Sequence, residues 1–80
     1  MIIMEKQDII NLLAEICQDD VVKEDPNIDL FETGLLDSFG TINFLVEVDE
    51  RFGINIPITE FNREEWNTPN NIAEKLAEHQ

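Results

Sequence analysis

From about Glu5 to Gln18 the apolar residues Ile9, Leu12, Leu13, Ile16 and Cys17 recur at spacings of three and four. Glu5, Lys6, Asp8, Asn11 and Glu15 lie between them, so this stretch specifies an amphipathic helix with one stripe to bury. Only 80 residues are available to cover that stripe, which leaves room for one compact domain over 1–80 with a small core and a stability of roughly 4–10 kcal/mol. Apolar residues make up 42% of the chain, without repeats or low-complexity tracts, and mark it as folded despite its high charge.

After this helix, Asp19-Asp20, Asp25-Pro26-Asn27 and Gly34 break any period, while Val21, Val22, Ile28, Leu30, Phe31, Leu35 and Leu36 keep the stretch partly apolar. A long loop packed on the core is expected. A second helix starts at Asp37-Ser38, either of which can cap it, and runs to about Phe52, where Gly53 stops it. Ile54, Ile56 and Ile58 then alternate, but Pro57 and the short length favour an extended connector with buried isoleucines over a strand. Asn62 followed by Glu65 suggests a short helical turn between Thr59 and Trp66, with Trp66 docked on the core. The last helix has Thr68 as cap, Pro69 at its first position, and Ile72, Ala73, Leu76 and Ala77 on one face. The sum is an all-α bundle of three main helices and one short one.

Charge narrows the function. Eighteen acidic residues against five basic ones give a formal charge of −13, which disfavours nucleic acid and anionic lipid and favours partners with basic surfaces. Met1-Ile2-Ile3-Met4-Glu5 has neither a basic leader nor a long apolar region, and the roughly 18-residue apolar run of a membrane span is absent. A cytoplasmic monomer that does not insert into membranes is expected. Cys17 is the only cysteine, so an internal disulfide is impossible, and its place in the apolar period marks a small buried hydrophobe.

Asp25, Asn27 and Asp29 have the spacing of the first three ligands of a calcium loop, but Leu30 stands where the turn glycine is needed and Leu36 where the bidentate glutamate belongs. No metal site is expected. The lone histidine, His79, lies beside the chain end, and no phosphate loop or cysteine pair marks an enzyme. No catalytic residue is assigned.

The second helix carries the most information. With Ser38 at zero and about 100 degrees per residue, Thr41, Phe44, Leu45, Val48 and Phe52 fall on one core-facing arc. The opposite arc holds Phe39, Gly40, Asn43, Val46, Glu47, Glu50 and Arg51. Two apolar residues, Phe39 and Val46, among carboxylates suit docking to a basic partner, although a solvated helix face gives the same pattern. A serine at a helix start is most often a cap; it also sets a hydroxyl beside unpaired amides and the positive end of the helix dipole, where an attached phosphate is stabilised.

Gly34-Leu35-Leu36-Asp37-Ser38-Phe39 resembles the serine attachment motif of acyl and peptidyl carrier proteins, with Phe39 in place of the usual leucine, and the helices around it match an acyl-carrier-protein-like bundle. The resemblance implies that Ser38 carries 4′-phosphopantetheine from coenzyme A, whose thiol holds cargo as a thioester. It also implies that Asp37 assists the phosphopantetheinyl transferase and its magnesium. Partners would touch Phe39, Val46 and some of Asn43, Glu47 and Glu50. Asn43 departs from the acidic residue of many fatty-acid carriers, which puts their charge-based docking pattern in question.

The run from Ile56 to Ile72, and Trp66-Asn67-Thr68-Pro69-Asn70-Asn71-Ile72 above all, is similar to the D-alanyl carrier branch of that family. This implies a non-catalytic carrier loaded by an ATP-dependent D-alanine ligase. Its residue would pass to membrane-bound O-acyltransferase machinery that esterifies lipoteichoic and teichoic acids during cell-wall biogenesis. Two alternatives stay open at this point: another acyl or peptidyl carrier, or an unmodified acidic domain that binds a basic partner through Phe39 and Val46.

Overall fold

The structure, a computed structural model, describes residues 5–79; the opening Met1–Met4, read above for a leader, lies outside them. Helix α1 spans Lys6–Cys17, α2 Val21–Glu24, α3 Ser38–Phe52 and α4 Pro69–Glu78. Among the described residues there is no strand.

Each long helix begins and ends where local chemistry permits. At the start of α1, Asp8 Oδ2 accepts from the Glu5 amide at 2.9 Å, and at its end Gln18 turns left-handed (φ 56°) with its N–H bonded to Ala14 O. Gly53 closes α3 in the same left-handed region (φ 68°), which glycine enters without a Cβ penalty. Thr68 Oγ1 accepts from the Asn71 amide at 3.1 Å to start α4, and Pro69 supplies a first residue with no amide to satisfy.

The stripe on α1 is the centre of the molecule: Ile9, Ile10, Leu12, Leu13 and Ala14 are buried, and α1 packs against α2, α3 and α4. Phe44 and Val48 from α3 and Ile72, Ala73 and Leu76 from α4 close the core around it, joined by Val22, Leu30, Leu36, Ile54, Ile56, Phe61 and Trp66. Phe31, Phe44 and Trp66 meet through Phe61. Its ring centroid lies 4.9 Å from Trp66, 6.3 Å from Phe44 and 6.2 Å from Phe31, the last edge-on at 75°.

Four expectations need correction. The segment between α1 and α3 is not one uninterrupted loop: Asp19 Oδ1 accepts from the Val21 amide, a four-residue α2 forms, and Val22 is driven fully into the core. The stretch Thr59–Trp66 forms turns rather than the short helix. The Asn62–Glu65 pairing is present there, with Asn62 Oδ1 accepting from the Glu65 amide at 2.9 Å, but the turn stops once the Trp66 amide reaches Asn62 O. Ile54 and Ile56 are buried, whereas Ile58 is exposed, because the turn closed by Glu60 N–H on Pro57 O swings the chain off its alternation. Ala77 is also exposed, so the buried face of α4 ends at Leu76.

The loop over residues 25–37 is stitched to the start of α4. The Leu30 amide donates to Asn67 O at 2.7 Å, the Asn70 amide to Pro26 O at 3.0 Å, and Asn70 Nδ2 to Asn27 Oδ1 at 2.6 Å. Asp29 sits at the middle of the seam. Its Oδ1 accepts from the amides of Phe31 and Glu32 and its Oδ2 from Asn67 Nδ2, while Asn67 Oδ1 accepts from Asn71 Nδ2. The asparagines of the Trp-Asn-Thr-Pro-Asn-Asn run therefore hold the loop in place.

The Glu32 amide, with Asn67 and the Phe31 amide adding, holds the Asp29 carboxyl below its usual range against an opposing desolvation. A carboxyl lowered in the folded state stabilises fully above its unfolded value of about 3.9, and that contribution is lost as pH falls through the folded value. Asp29→Ala should therefore lower stability at neutral pH, with the gap to the parent chain shrinking below about pH 4. Urea unfolding at a series of pH values measures this.

Candidate functional site

Asp37 is the N-cap of α3. Its backbone is extended (φ −108°, ψ −174°), its Oδ1 accepts from the Gly40 amide at 2.7 Å, and its carbonyl accepts from both the amide and the hydroxyl of Thr41 at 2.8 Å. Ser38 is thereby the first helical residue and its hydroxyl is not the cap, which settles the choice that the sequence left between the two. Gly40 keeps this start compact: a Cβ there would lie 3.1 Å from Leu36 Cδ1 and 3.3 Å from Asp37 Oδ1, against the capping oxygen itself.

Freed from capping, the exposed Ser38 hydroxyl faces the loop from Ile58 to Arg63. Arg63 Nη2 lies 3.4 Å from Ser38 Oγ, and the guanidinium carbon stands 4.9 Å from the centroid of the Phe31 ring. Ser38 and Arg63 share a groove of about 170 Å³ with Phe31, Thr41, Ile42, Ile58 and Phe61. A second hollow of about 230 Å³ continues from Ile42 and Ile58 past Leu45, Val46 and Asn55.

Phe39 (81% exposed), next to the serine, and Val46 (47%), about two turns further along α3, stand in solvent, and Ile42 and Ile58 (55% and 53%) join them into an apolar stripe between α3 and the connector. Asn43 and Glu50 are exposed, while Glu47 is half-buried and engaged. Its carboxylate accepts from Arg51 Nε at 2.8 Å, and Arg51 also reaches Glu15 on α1 at 3.3 Å. Glu47 thus ties α3 to α1 through Arg51.

Three of these residues escaped the sequence reading. Ile42 fell in neither arc of the helix, although it is three residues after Phe39 and four before Val46, a spacing that would have flagged it. Ile58 was expected in the core, and Arg63 gives no signal at all, since its approach to Ser38 spans 25 residues of chain. Of the other chemical groups, Cys17 is half-buried with its thiol pushed up to about 11, mainly by burial and further by Asp19 and Asp37, so it is protonated at neutral pH. His79 is exposed at the end of α4, and no metal-binding group of three or more His, Cys, Asp or Glu occurs among the described residues.

Residues 7–76 match the family described as the phosphopantetheine attachment site, which is most of the chain. The chain belongs to that family. Its curated relatives include the D-alanyl carrier protein of Bacillus velezensis, 63% identical over 73 residues that cover 91% of this chain and 94% of the relative. The D-alanyl carrier protein of Bacillus subtilis is 59% identical with the same coverage, and that of Bacillus licheniformis is 56% identical over 72 residues. The protein is thus a carrier domain and not itself an enzyme, and the group such a domain bears is a covalently attached 4′-phosphopantetheine. The site suits a phosphodiester: an exposed hydroxyl at a helix N-terminus, an apolar groove beside it and a guanidinium within reach.

The division of labour between Asp37 and Ser38 has a measurable consequence. Asp37→Ala should cost about 1 kcal/mol in urea unfolding, the usual effect of losing an N-cap. Ser38→Ala should stay within about 0.5 kcal/mol of the parent chain, as for an exposed residue outside the cap.

Proposed function

We propose that Ser38 is the attachment residue and that the protein carries D-alanine. The observation that supports Ser38 most directly is that it is the only serine of the chain and lies within the family match, exposed beside the groove. In attachment, Ser38 Oγ bonds to the phosphorus that bears the pantetheine as the pyrophosphate link of coenzyme A breaks, the adenosine 3′,5′-bisphosphate half leaving and the serine proton passing to the transferase. Asp37 Oδ1 is engaged in the cap, so the transferase's magnesium would be met by the other carboxylate oxygen of this exposed side chain.

Once attached, the group supplies a flexible arm ending in a thiol that holds the cargo as a thioester. The relatives' printed name favours D-alanine as that cargo.

On this reading a D-alanine ligase loads the carrier in the cytoplasm, and membrane-bound acyltransferase machinery receives the residue for teichoic-acid esterification. Phe39, Ile42, Val46 and Ile58 supply the apolar contact of docking, with Asn43 and Glu50 on its rim. Glu47 has a smaller part because its carboxylate is held by Arg51. The helix face as a whole is acidic, which suits partners with basic docking surfaces.

Intact-protein mass spectrometry after incubation with coenzyme A, magnesium and a broad-specificity phosphopantetheinyl transferase tests the first step. The parent chain should gain one phosphopantetheinyl group and Ser38→Ala none; a modified Ser38→Ala chain would refute the assignment. The loaded parent should then gain one D-alanyl group with ATP, D-alanine and the ligase. Phe39→Ala and Val46→Ala should lower kcat/KM for that loading by about tenfold while leaving the unfolding midpoint nearly unchanged, since both side chains stand in solvent. A large loss of stability would instead make them structural.

A further inference from the structure

The five basic residues of the chain face eighteen carboxylates, and they are used very unevenly. Lys23 lies 4.0 Å from Asp20, Lys75 3.7 Å from Glu65, and Arg51 binds both Glu15 and Glu47. Lys6, exposed at the start of α1, has no carboxylate within 4.0 Å among the described residues, and neither does Arg63, although the sequence neighbours of the latter include Glu60, Glu64 and Glu65. Its guanidinium instead lies over the Phe31 ring and donates to Ser38 Oγ at 3.4 Å. A cation in so acidic a protein that faces an uncharged hydroxyl has an electrostatic capacity the apo chain leaves unused.

We propose that Arg63 is the phosphate clamp of the prosthetic group: it binds the phosphodiester formed on Ser38 and directs the arm into the groove floored by Phe61 and walled by Ile42 and Ile58. The proposal rests on the assignment of Ser38 above. Several observations converge on it. The guanidinium fork matches two phosphate oxygens at once, and a bond to an anion is shorter and about twice as strong as one to a neutral acceptor. Phe31 holds the guanidinium by its face, and Phe31 in turn packs edge-on against Phe61, so the cation is carried by the aromatic core rather than by a free side chain. Arg63 also lines the same groove as Ser38, so a phosphate held by it leaves the arm pointing along Ile42 and Ile58.

Loading adds a negative charge to a chain already at −13 and should by itself destabilise the fold through repulsion. The clamp reverses that sign, which makes it measurable without any ligase. The experiment compares the unmodified and loaded forms of the full chain, Arg63→Gln and Arg63→Lys by thermal unfolding at low salt, with loading verified by mass. Taking the loaded-minus-unmodified difference within each variant cancels the loss of the Phe31 contact, which both forms share.

The parent chain should melt no lower when loaded than when unmodified, whereas loading should lower the melting temperature of Arg63→Gln by about 4 °C. Arg63→Lys should fall between them, keeping the charge without the fork. Raising ionic strength to about 1 M should erase the difference between parent and Arg63→Gln. In the parent chain the Arg63 side-chain Nε–Hε resonance should shift on loading while that of Arg51 stays in place, a readout that stands even if Arg63→Gln folds poorly. Equal loading effects in parent and Arg63→Gln, or an unmoved Arg63 resonance, would overturn the clamp. A parent chain that gains no mass would overturn the Ser38 assignment instead, so the two failures are distinct.

Discussion

Burial of one face of α1 is the constraint on which the rest of the molecule depends. In a domain this small there is no second core to fall back on, and α1 is the element that α2, α3 and α4 all touch. Removing a large side chain from that face, Leu12 or Leu13 for example, leaves a cavity bounded by several elements at once, the circumstance in which relaxation is least complete. Polar ties on the rim reinforce the same hub: Arg51 bridges Glu47 on α3 to Glu15 on α1 at the surface, where its value is in fixing orientation more than in adding stability.

Within that frame the end of α3 that bears Ser38 is built by two devices of different range. Locally, the Asp37 carboxylate takes the Gly40 amide, which releases the serine hydroxyl from capping and leaves it outward. At long range, the loop before α3 is held by Asp29, Asn27 and Pro26 against Asn67 and Asn70, so the approach to Asp37 is set by the start of α4. The segment before α4 then supplies the other side of the groove through Ile58, Phe61 and Arg63. A site that looks in sequence like one serine and its neighbours is in space a meeting of α3 with a loop about twenty residues downstream.

How much of this was visible beforehand follows from the range of the interactions. The three long helices were readable because period, caps and stop residues are local: the stripe from Ile9 to Cys17, Gly53 after Phe52, and Thr68-Pro69 all act within a turn or two. The serine was readable through its resemblance to carrier attachment motifs. What failed was non-local or marginal. Helix α2 has four residues and no period, and exists because Val22 is pulled into the core. Ile58 left its alternation because of one turn after Pro57, and Arg63 reached Ser38 only through the packing of Phe31 on Phe61. The asparagine-rich run marked the branch of the family correctly, and in the fold it stitches the loop to the start of α4.

That stitching bears on the order in which the molecule is made. The bonds from Asn67 to Asp29 and from Asn70 to Asn27 close loops of 38 and 43 residues, and contacts so distant in sequence form only after the chain between them has been gathered in. A chain emerging during synthesis has α1 and α3 before it has the segment that anchors the approach to Asp37. Until that segment docks, the serine stands at the start of α3 behind an unanchored loop, without Arg63 or the groove beside it. If Ser38 is the attachment residue, as proposed above, an enzyme that needs the finished surface around it would modify completed molecules and pass over nascent ones, and the attached group would then mark a folded chain.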